Sequence, residues 1–429
     1  MFQTFRNAWK IPELKNRLLF TLAILVVYRL GCAIPVPFVS GSALTQMFAN
    51  GDMLSYLNMM SGGALARCTL FALGVTPYIN ASIIVQLLTV AIPALENLAK
   101  EADGQQKLQQ INRYAGAVVA LIMSIGYYFV IRNMGALKYT SGAAGIFTAV
   151  VTISTFTAGA QLITWCGEQI NDKGIGNGIS LIIMIGIVAR LPHALLAEIN
   201  ARFQTSDGSA IMLILELVLL FLVFMATVAL VQAVRKIPVQ YAKRIVGNKQ
   251  YGGVRQYIPL KMNAANVMPI IFAQALMFIP ALFSGTAFAA AFSSMTGFWY
   301  NFTLAVLVIA FTYFYTAIII NPQMMADDMK RNGGFIPGVK PGKQTVNYID
   351  TIMTRITLPG SFFLAIVAIL PALAMKFLGI QQAFAYFYGG TSLLIMVGVV
   401  LDTLKQIESY LLMRHYDGLM KTGRIQGRY

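Results

Sequence analysis

The chain has 429 residues, of which 57% are hydrophobic and 11% charged, whereas a soluble globular chain carries about 25% charged residues. A water-facing shell needs polar side chains, so this composition excludes an ordinary soluble enzyme and requires a membrane to cover most of the surface. The formal charge of +16 comes from 32 Lys and Arg against 16 Asp and Glu, and whether it means nucleic acid or membrane topology depends on where the basic residues fall between the apolar runs.

A helix needs about 20 mostly apolar residues to cross the hydrocarbon core. Ten stretches qualify: 18–38, 70–92, 114–131, 146–167, 178–192, 211–234, 262–284, 299–320, 356–378 and 389–412. The expected fold is therefore all-α and polytopic. The first run exceeds the apolar stretch of a signal peptide, about 7 to 15 residues, and carries Arg29 and two prolines, so it reads as a retained first span. The fifth is short and is expected to tilt or to borrow flanking residues.

An even number of spans puts both termini on one side. The even-numbered connections and the two tails, with Lys405 of span ten counted to the tail, hold 25 of the 32 basic residues; the other seven are Arg29, Arg67, Arg132, Lys138, Arg190, Arg202 and Lys376. Positive residues concentrate on the inside, which places both termini in the cytoplasm.

Two inside connections are long, 235–261 and 321–355. The first carries Arg235, Lys236, Lys243, Arg244, Lys249, Arg255 and Lys261 and no acid. Concentrated cations steer encounter and bind phosphate, so the loop is a docking surface for an acidic or nucleic-acid-bearing partner, although a basic inside loop also arises from topology alone. The second has a turn-rich tip, residues 333–343, expected to hold Phe335 and Ile336 out beside Lys340 where lipid does not cover them.

Ionisable residues inside spans are few: Arg29, Glu216 and Asp402. Arg29 and Asp402 lie toward span ends and read as snorkelling side chains. Glu216 lies five residues into span six, shallow enough to reach the outer interface. A relay of acids is absent, which counts against an ion-coupled carrier. Three scattered cysteines (Cys32, Cys68, Cys166) and two histidines (His193, His415) give neither a disulfide framework nor a metal site, and no catalytic pair or nucleotide-binding motif is found.

Span two contains Pro77, expected to kink or break the helix, and the amides Asn80 and Gln86; span seven contains Asn263, Asn266, Pro269, Gln274 and Pro280. Asn and Gln bond across membrane helices at about 0.6 kcal/mol on average in one membrane protein. They form either a weak seam between two helices or ordinary interhelical glue. Ahead of span two, residues 51–67 are too short and polar to span yet too apolar for a simple loop. Met53, Leu54, Leu57, Met60, Gly62, Gly63, Leu65 and Arg67 then belong to a re-entrant segment with a Gly62-Gly63 hinge.

From about Ile11 to the C-terminus the chain resembles the SecY family, the channel subunits of the bacterial Sec translocase. The strings that carry the likeness are Ile11-Pro12-Glu13-Leu14-Lys15, the span-two stretch 71–86, Gly167-Glu168-Gln169-Ile170, Gly174-Ile175-Gly176-Asn177-Gly178-Ile179-Ser180, Tyr241-Ala242-Lys243-Arg244, Phe335-Ile336-Pro337-Gly338 and Tyr388-Gly389-Gly390-Thr391-Ser392-Leu393-Leu394-Ile395. The glycine-rich run 174–178 lacks the Lys-Ser/Thr ending of a phosphate loop.

The resemblance implies two inverted five-helix halves. The expected organisation is a cytoplasmic segment 1–17, an N-terminal half 18–192 with a plug near 52–68, an external hinge 193–210, a C-terminal half 211–412 and a tail 413–429. It implies an aliphatic pore ring at Val75, Ile79, Ile179, Ile183, Ile271 and Ile395, and a lateral gate of spans two and seven. Of the ring, 75 with 79 and 179 with 183 are four apart and so share a helix face. Implied partners are SecE-like and SecG-like membrane subunits, the SecA ATPase, the ribosome through its RNA, preprotein signal sequences and membrane lipid, at the bacterial cytoplasmic (inner) membrane and without a cofactor. Many relatives carry arginine where this chain has Lys340, and lysine loses the bidentate geometry of arginine. The competing classes are a small-molecule carrier, which needs charged midplane sites, and an intramembrane enzyme, which needs a buried catalytic pair.

Overall fold

The computed structural model describes residues 9, 11–40, 63–65, 67–100, 103–133, 135–204, 209–241, 244–246, 249–251, 255–277 and 296–421. They form two compact units, residues 1–193 with 399–429, and residues 194–398. Seven helices among the described residues are long and apolar enough to cross a membrane.

The first unit opens with α1 (Pro12–Gly31). Pro12 sits where its missing N–H costs nothing and its fixed φ suits the helix. The span expected to reach residue 38 stops at Gly31, where a Cβ would lie 2.0 Å from the Phe71 ring. Pro35 and Pro37 cannot continue the helix. Residues 34–40 instead form a non-helical segment with a turn at Pro37-Phe38, where Phe38 has φ +66°: Val36 N–H donates to Cys68 O, Leu70 N–H to Ile34 O and Lys138 N–H to Phe38 O.

Helix α2 (Thr76–Ala91) begins at the proline expected to kink it. Pro77 occupies the first turn, where it starts a helix rather than breaking one, and residues 70–75 are turns. This irregular backbone at membrane depth is tolerated because it is buried in protein: Leu65, Cys68, Ala72 and Leu73 pack with Tyr127, Tyr128, Ile131, Phe156 and Ala160. Gly159 allows it, since a Cβ there would meet Leu70 O at 1.9 Å. The short α3 (Pro93–Lys100) leads to α4 (Gly104–Asn133) and α5 (Gly142–Lys173). The fifth span is α6 (Gly178–Val188), only 11 residues, followed after two residues by α7 (Leu191–Gln204). Most of the stretch expected as an external hinge, 193–210, is thus helix; 205–208 lie outside the described residues.

The second unit contains α8 (Ser209–Gln232), followed by strands β1 (Val234–Tyr241), β2 (Arg244–Val246), β3 (Lys249–Tyr251) and β4 (Arg255–Lys261). The fold is mostly helical as expected, and this hairpin is an addition that the span-by-span reading did not single out. Its signal is the alternation in Arg235-Lys236-Ile237-Pro238-Val239, which buries Ile237 and Val239 and exposes the residues beside them. Helix α9 (Met268–Leu276) follows, with residues 278–295 outside the described set. Then come α10 (Phe298–Ile319), α11 (Pro322–Arg331) and β5 (Gly334–Phe335).

Helix α12 (Lys343–Leu378) has 36 residues, about 54 Å at 1.5 Å per residue, against a hydrocarbon core of about 30 Å. Its first turns therefore project beyond the bilayer. There Ile349 and Met353 pack under the sheet, with Ile237, Val239, Leu260, Met329 and Ile336. The chain closes with α13 (Gln382–Ala385), a 3₁₀ turn at Tyr386–Tyr388, and α14 (Gly390–Lys421), whose residues from 399 belong to the first unit.

Candidate functional site

The two long basic connections come together. Strand β1 lies between β4 and β5, antiparallel to both, with Ile237 opposite Ile258 and Gln240 opposite Phe335. Arg235, Lys236 and Lys340 are exposed, and Phe335 is 39% exposed. Ile336 corrects the expectation: it is 2% exposed and sits in the core beneath the sheet. Successive residues of a strand point to opposite faces, so a tip that shows Phe335 must bury its neighbour. The backbones of Arg244 and Arg255 pair in β2 and β4; Lys243 lies outside the described residues.

Of the expected plug, Met53, Leu54, Leu57, Met60 and Gly62 lie outside the described residues. Gly63, Leu65 and Arg67 are its described residues. Gly63 has φ +88°, and a Cβ there would meet Arg190 Nε at 3.4 Å. Tyr127 Oη donates to Leu65 O at 2.6 Å and contacts Cys68 Sγ at 3.4 Å, tying the segment to α4. Arg67 is exposed.

The aliphatic positions fall in both units. In the first, Val75 precedes α2 and its carbonyl accepts from Ile79 N–H at 3.1 Å, so the two are one turn apart. Ile179 and Ile183 are likewise one turn apart on α6; Ile183 is buried and Ile179 half-buried against Gly167 of α5. In the second unit Ile271 is half-buried on α9 and Ile395 buried on α14.

The amides expected on two helices are placed differently. Asn80 on α2 donates to Met123 Sδ of α4 at 3.9 Å, within its own unit, and Gln86 is exposed. Asn263 and Asn266 precede α9 rather than lying on it, and Asn266 has φ +52°. Asn263 Oδ1 and Gln274 Oε1 are buried with no hydrogen-bond partner among the described residues. Pro280 lies outside the described residues.

The motif strings have local reasons. Glu168 accepts from Arg113 Nε at 2.6 Å. A Cβ on Gly178 would stand 2.0 Å from Gly167 O, so α5 and α6 touch through backbone. In the run 174–180 four amides meet side chains: Ile175 N–H donates to Thr21 Oγ1, Gly176 N–H to Gln406 Oε1, Gly178 N–H to Asn171 Oδ1 and Ser180 N–H to Asn177 Oδ1. The amides that a phosphate would need are taken, which closes that reading of the glycines. A Cβ on Gly389 would stand 2.3 Å from Val367 O, and Ser392 Oγ donates to Tyr386 O at 2.6 Å.

Sequence reasoning missed one constellation. Glu216 does not snorkel alone to an interface: it is fully buried and accepts from Arg202, which also pairs with Glu198. Glu198 accepts from Gln381 N–H at 2.8 Å, and Tyr388 Oη donates to Glu216 O at 2.7 Å. Arg202 and Glu198 lie outside the apolar spans, in what reads as a loop, so only their four-residue spacing on a helix signals the pair.

A polytopic helical bundle bearing a basic extramembranous sheet and an irregular buried segment ahead of span two defines a multi-pass membrane protein of the channel class. The SecY family model matches residues 69–404. The Protein translocase subunit SecY of Streptomyces coelicolor is 43% identical, over 98% of this chain and 100% of that one. Two solved structures share the fold. One, described as "The plug domain of the SecY protein stablizes the closed state of the translocation channel and maintains a membrane seal", has TM-score 0.63, 19% identity and 92% coverage of each chain. The other, "Sec61 in the Canine ribosome-channel complex from the endoplasmic reticulum", has TM-score 0.61, 17% identity and 92% coverage of each chain. The chain belongs to the SecY family. It is a protein-conducting channel subunit of the protein translocase and not an enzyme, and the carrier alternative finds no support.

Proposed function

We propose that the chain conducts unfolded preproteins through a pore closed at its waist by Val75, Ile79, Ile179, Ile183, Ile271 and Ile395. A chain in transit presents varied side chains, so fixed binding groups would trap some of them. Flexible aliphatic residues grip any sequence weakly and exclude water and ions by dewetting. The segment that Gly63, Leu65 and Arg67 anchor is the plug, and α2 with α9 is the lateral gate through which apolar segments of about 20 residues leave into lipid.

The basic sheet is the docking platform, for the ribosome and for a SecA motor, and its side is the cytoplasm, where both termini lie. The observation that carries this reading is the pairing of Gln240 with Phe335, which sets the exposed tip of the second loop against the basic strand of the first. The canine relative was solved in a ribosome-channel complex, which supports that use. The two five-helix halves, hinged near 193–210, work with SecE-like and SecG-like subunits in the cytoplasmic membrane, and signal sequences enter at the gate.

The test is reconstitution with SecE- and SecA-like partners and ATP, scoring a presecretory protein for protection from protease. Protection is the expected result, and it falls when Lys236 and Lys340 are reversed to glutamate. Normal motor and ribosome affinity in that variant refutes the platform.

A further inference from the structure

Helix α6 begins with Gly178 and carries Ile179 and Ile183, so whatever fixes its first turn fixes those two side chains. The first four N–H groups of a helix have no partner within it. Here the amides leading into α6 are not left to water. Thr21 of α1 takes Ile175 N–H at 3.1 Å, and Gln406 of α14 takes Gly176 N–H at 2.8 Å. Asn171 at the end of α5 takes Gly178 N–H at 2.7 Å, and Asn177 takes Ser180 N–H at 3.2 Å. Gly176, at φ +90°, has no room for a side chain: a Cβ would meet Leu181 Cδ1 at 2.8 Å and Thr403 Oγ1 at 3.0 Å. A Cβ on Gly174 would lie 2.5 Å from Thr21 Oγ1. The loop is therefore seated against α1 and α14 by backbone contact as well as by hydrogen bonds.

Those two helices are themselves clasped. Arg17 Nη1 donates to Tyr410 Oη at 3.3 Å, and its guanidinium lies 5.3 Å from the Tyr410 ring centroid. Leu14 of α1, Ile175 of the loop and Ile407 of α14 share one buried cluster. Gln406, Ile407 and Tyr410 thus form one face midway along the last helix, touching the loop and the first helix together. All of these residues belong to the first unit.

We propose that Thr21 and Gln406 are positioning residues for Ile179 and Ile183, so that a displacement of α14 is passed through the 174–178 loop to the start of α6. The inference rests on the reading of Ile179 and Ile183 as pore-ring residues. The loop is a rigid coupling because its conformation is over-determined: the glycines at 174, 176 and 178 exist to let three helices approach it, and their amides are consumed by those helices. A force applied by a partner at the C-terminal end of α14 then reaches the ring through two hydrogen bonds and one apolar contact.

Full-length protein in lipid nanodiscs is compared with Gln406→Leu, Thr21→Val and Gln406→Glu by amide hydrogen exchange over residues 174–188 and by ion conductance in planar bilayers. Loss of one acceptor is expected to speed exchange roughly fivefold, the equivalent of one ordinary net hydrogen bond. The acceleration is expected to extend through residues 178–183, and closed-channel conductance is expected to rise. Gln406→Glu keeps an acceptor and is expected to restore both. Acceleration confined to residues 175 and 176, or a conductance equal to that of the unaltered channel, overturns the proposal. Ile179→Gly with Ile183→Gly tests the ring separately. A tight double variant sinks the ring reading, while exchange spreading to residue 183 in Gln406→Leu still identifies Gln406 as a positioner of α6.

Discussion

Arg202 donates to the buried carboxylate of Glu216, four helical turns of sequence away, and the same terminal nitrogen donates to the Leu378 carbonyl at the end of α12. Glu198, on the turn before Arg202, accepts from its Nε and from Gln381 N–H. One guanidinium thus links α7, α8 and the end of α12, and Glu198 adds the connection at Gln381. Both carboxylates are 1% exposed at the side chain, so the arrangement stands or falls with the arginine.

Arg202→Met is therefore expected to destabilise the protein more than any other single change at this site. Removing one partner of a buried ion pair costs about 3–5 kcal/mol, because the remaining charge is left uncompensated, and here two carboxylates remain. Glu198→Gln with Glu216→Gln on top of Arg202→Met removes those charges and is expected to recover most of the loss. Melting temperatures in nanodiscs decide; equal stability of Arg202→Met and the unaltered protein contradicts the account.

Phe335 and Ile336 are expected to separate docking from stability. Ile336→Ala opens a cavity under the sheet among Ile237, Val239 and Met353, at about 2–5 kcal/mol for a buried large-to-small change. Phe335→Ala removes an exposed ring and is expected to leave melting unchanged while weakening ribosome or motor binding. A binding assay paired with thermal melting checks both, and the reverse pattern would show that the exposed face of the tip is not the one used.

The sequence made the spans legible because lipid imposes one simple rule, about 20 apolar residues per crossing, and α4, α5, α8, α10, α12 and α14 all cover expected runs. It was less informative where backbone geometry decides. Pro77 reads as a kink until the turns at 70–75 show that it begins α2. Asn263 and Asn266 sit in an apolar window yet precede α9, which starts at Met268 with Pro269 in its first turn, after a positive φ at Asn266. The sheet escaped notice because its strands are short and basic, and its third strand comes from another loop altogether. The Glu198, Arg202 and Glu216 constellation was invisible because a span-by-span view treats an acid in a helix and a base in a loop as unrelated.

Gln274 offers a test of the seam. Its Oε1 is buried without a partner among the described residues, and an unsatisfied buried acceptor costs about 1–3 kcal/mol. Gln274→Met removes the polar group at similar volume, so it is expected to stabilise the closed protein and to slow the release of hydrophobic segments into lipid. Site-specific crosslinking of a nascent span to lipid over time measures the second effect; faster release in Gln274→Met contradicts the gate assignment.

The aliphatic ring makes the sharpest claim on conductance. Ile79, Ile183 and Ile271 are buried or half-buried, and in the pore proposed above each supplies branched hydrocarbon, which resists wetting of a narrow passage. Replacing all three with glycine removes that hydrocarbon from three helices without adding charge. Ion flux through the closed channel in planar bilayers is then expected to rise well above the unaltered level, while Ile→Leu at the same positions keeps the seal because volume and apolarity are conserved. The glycine variant has a second consequence that separates sealing from stability. Ile183 also packs within the first unit, so Ile183→Gly alone is expected to lower the melting temperature, whereas half-buried Ile79 and Ile271 are expected to change melting less than they change flux. A triple-glycine channel as tight as the original would remove these residues from the pore and leave them as ordinary packing.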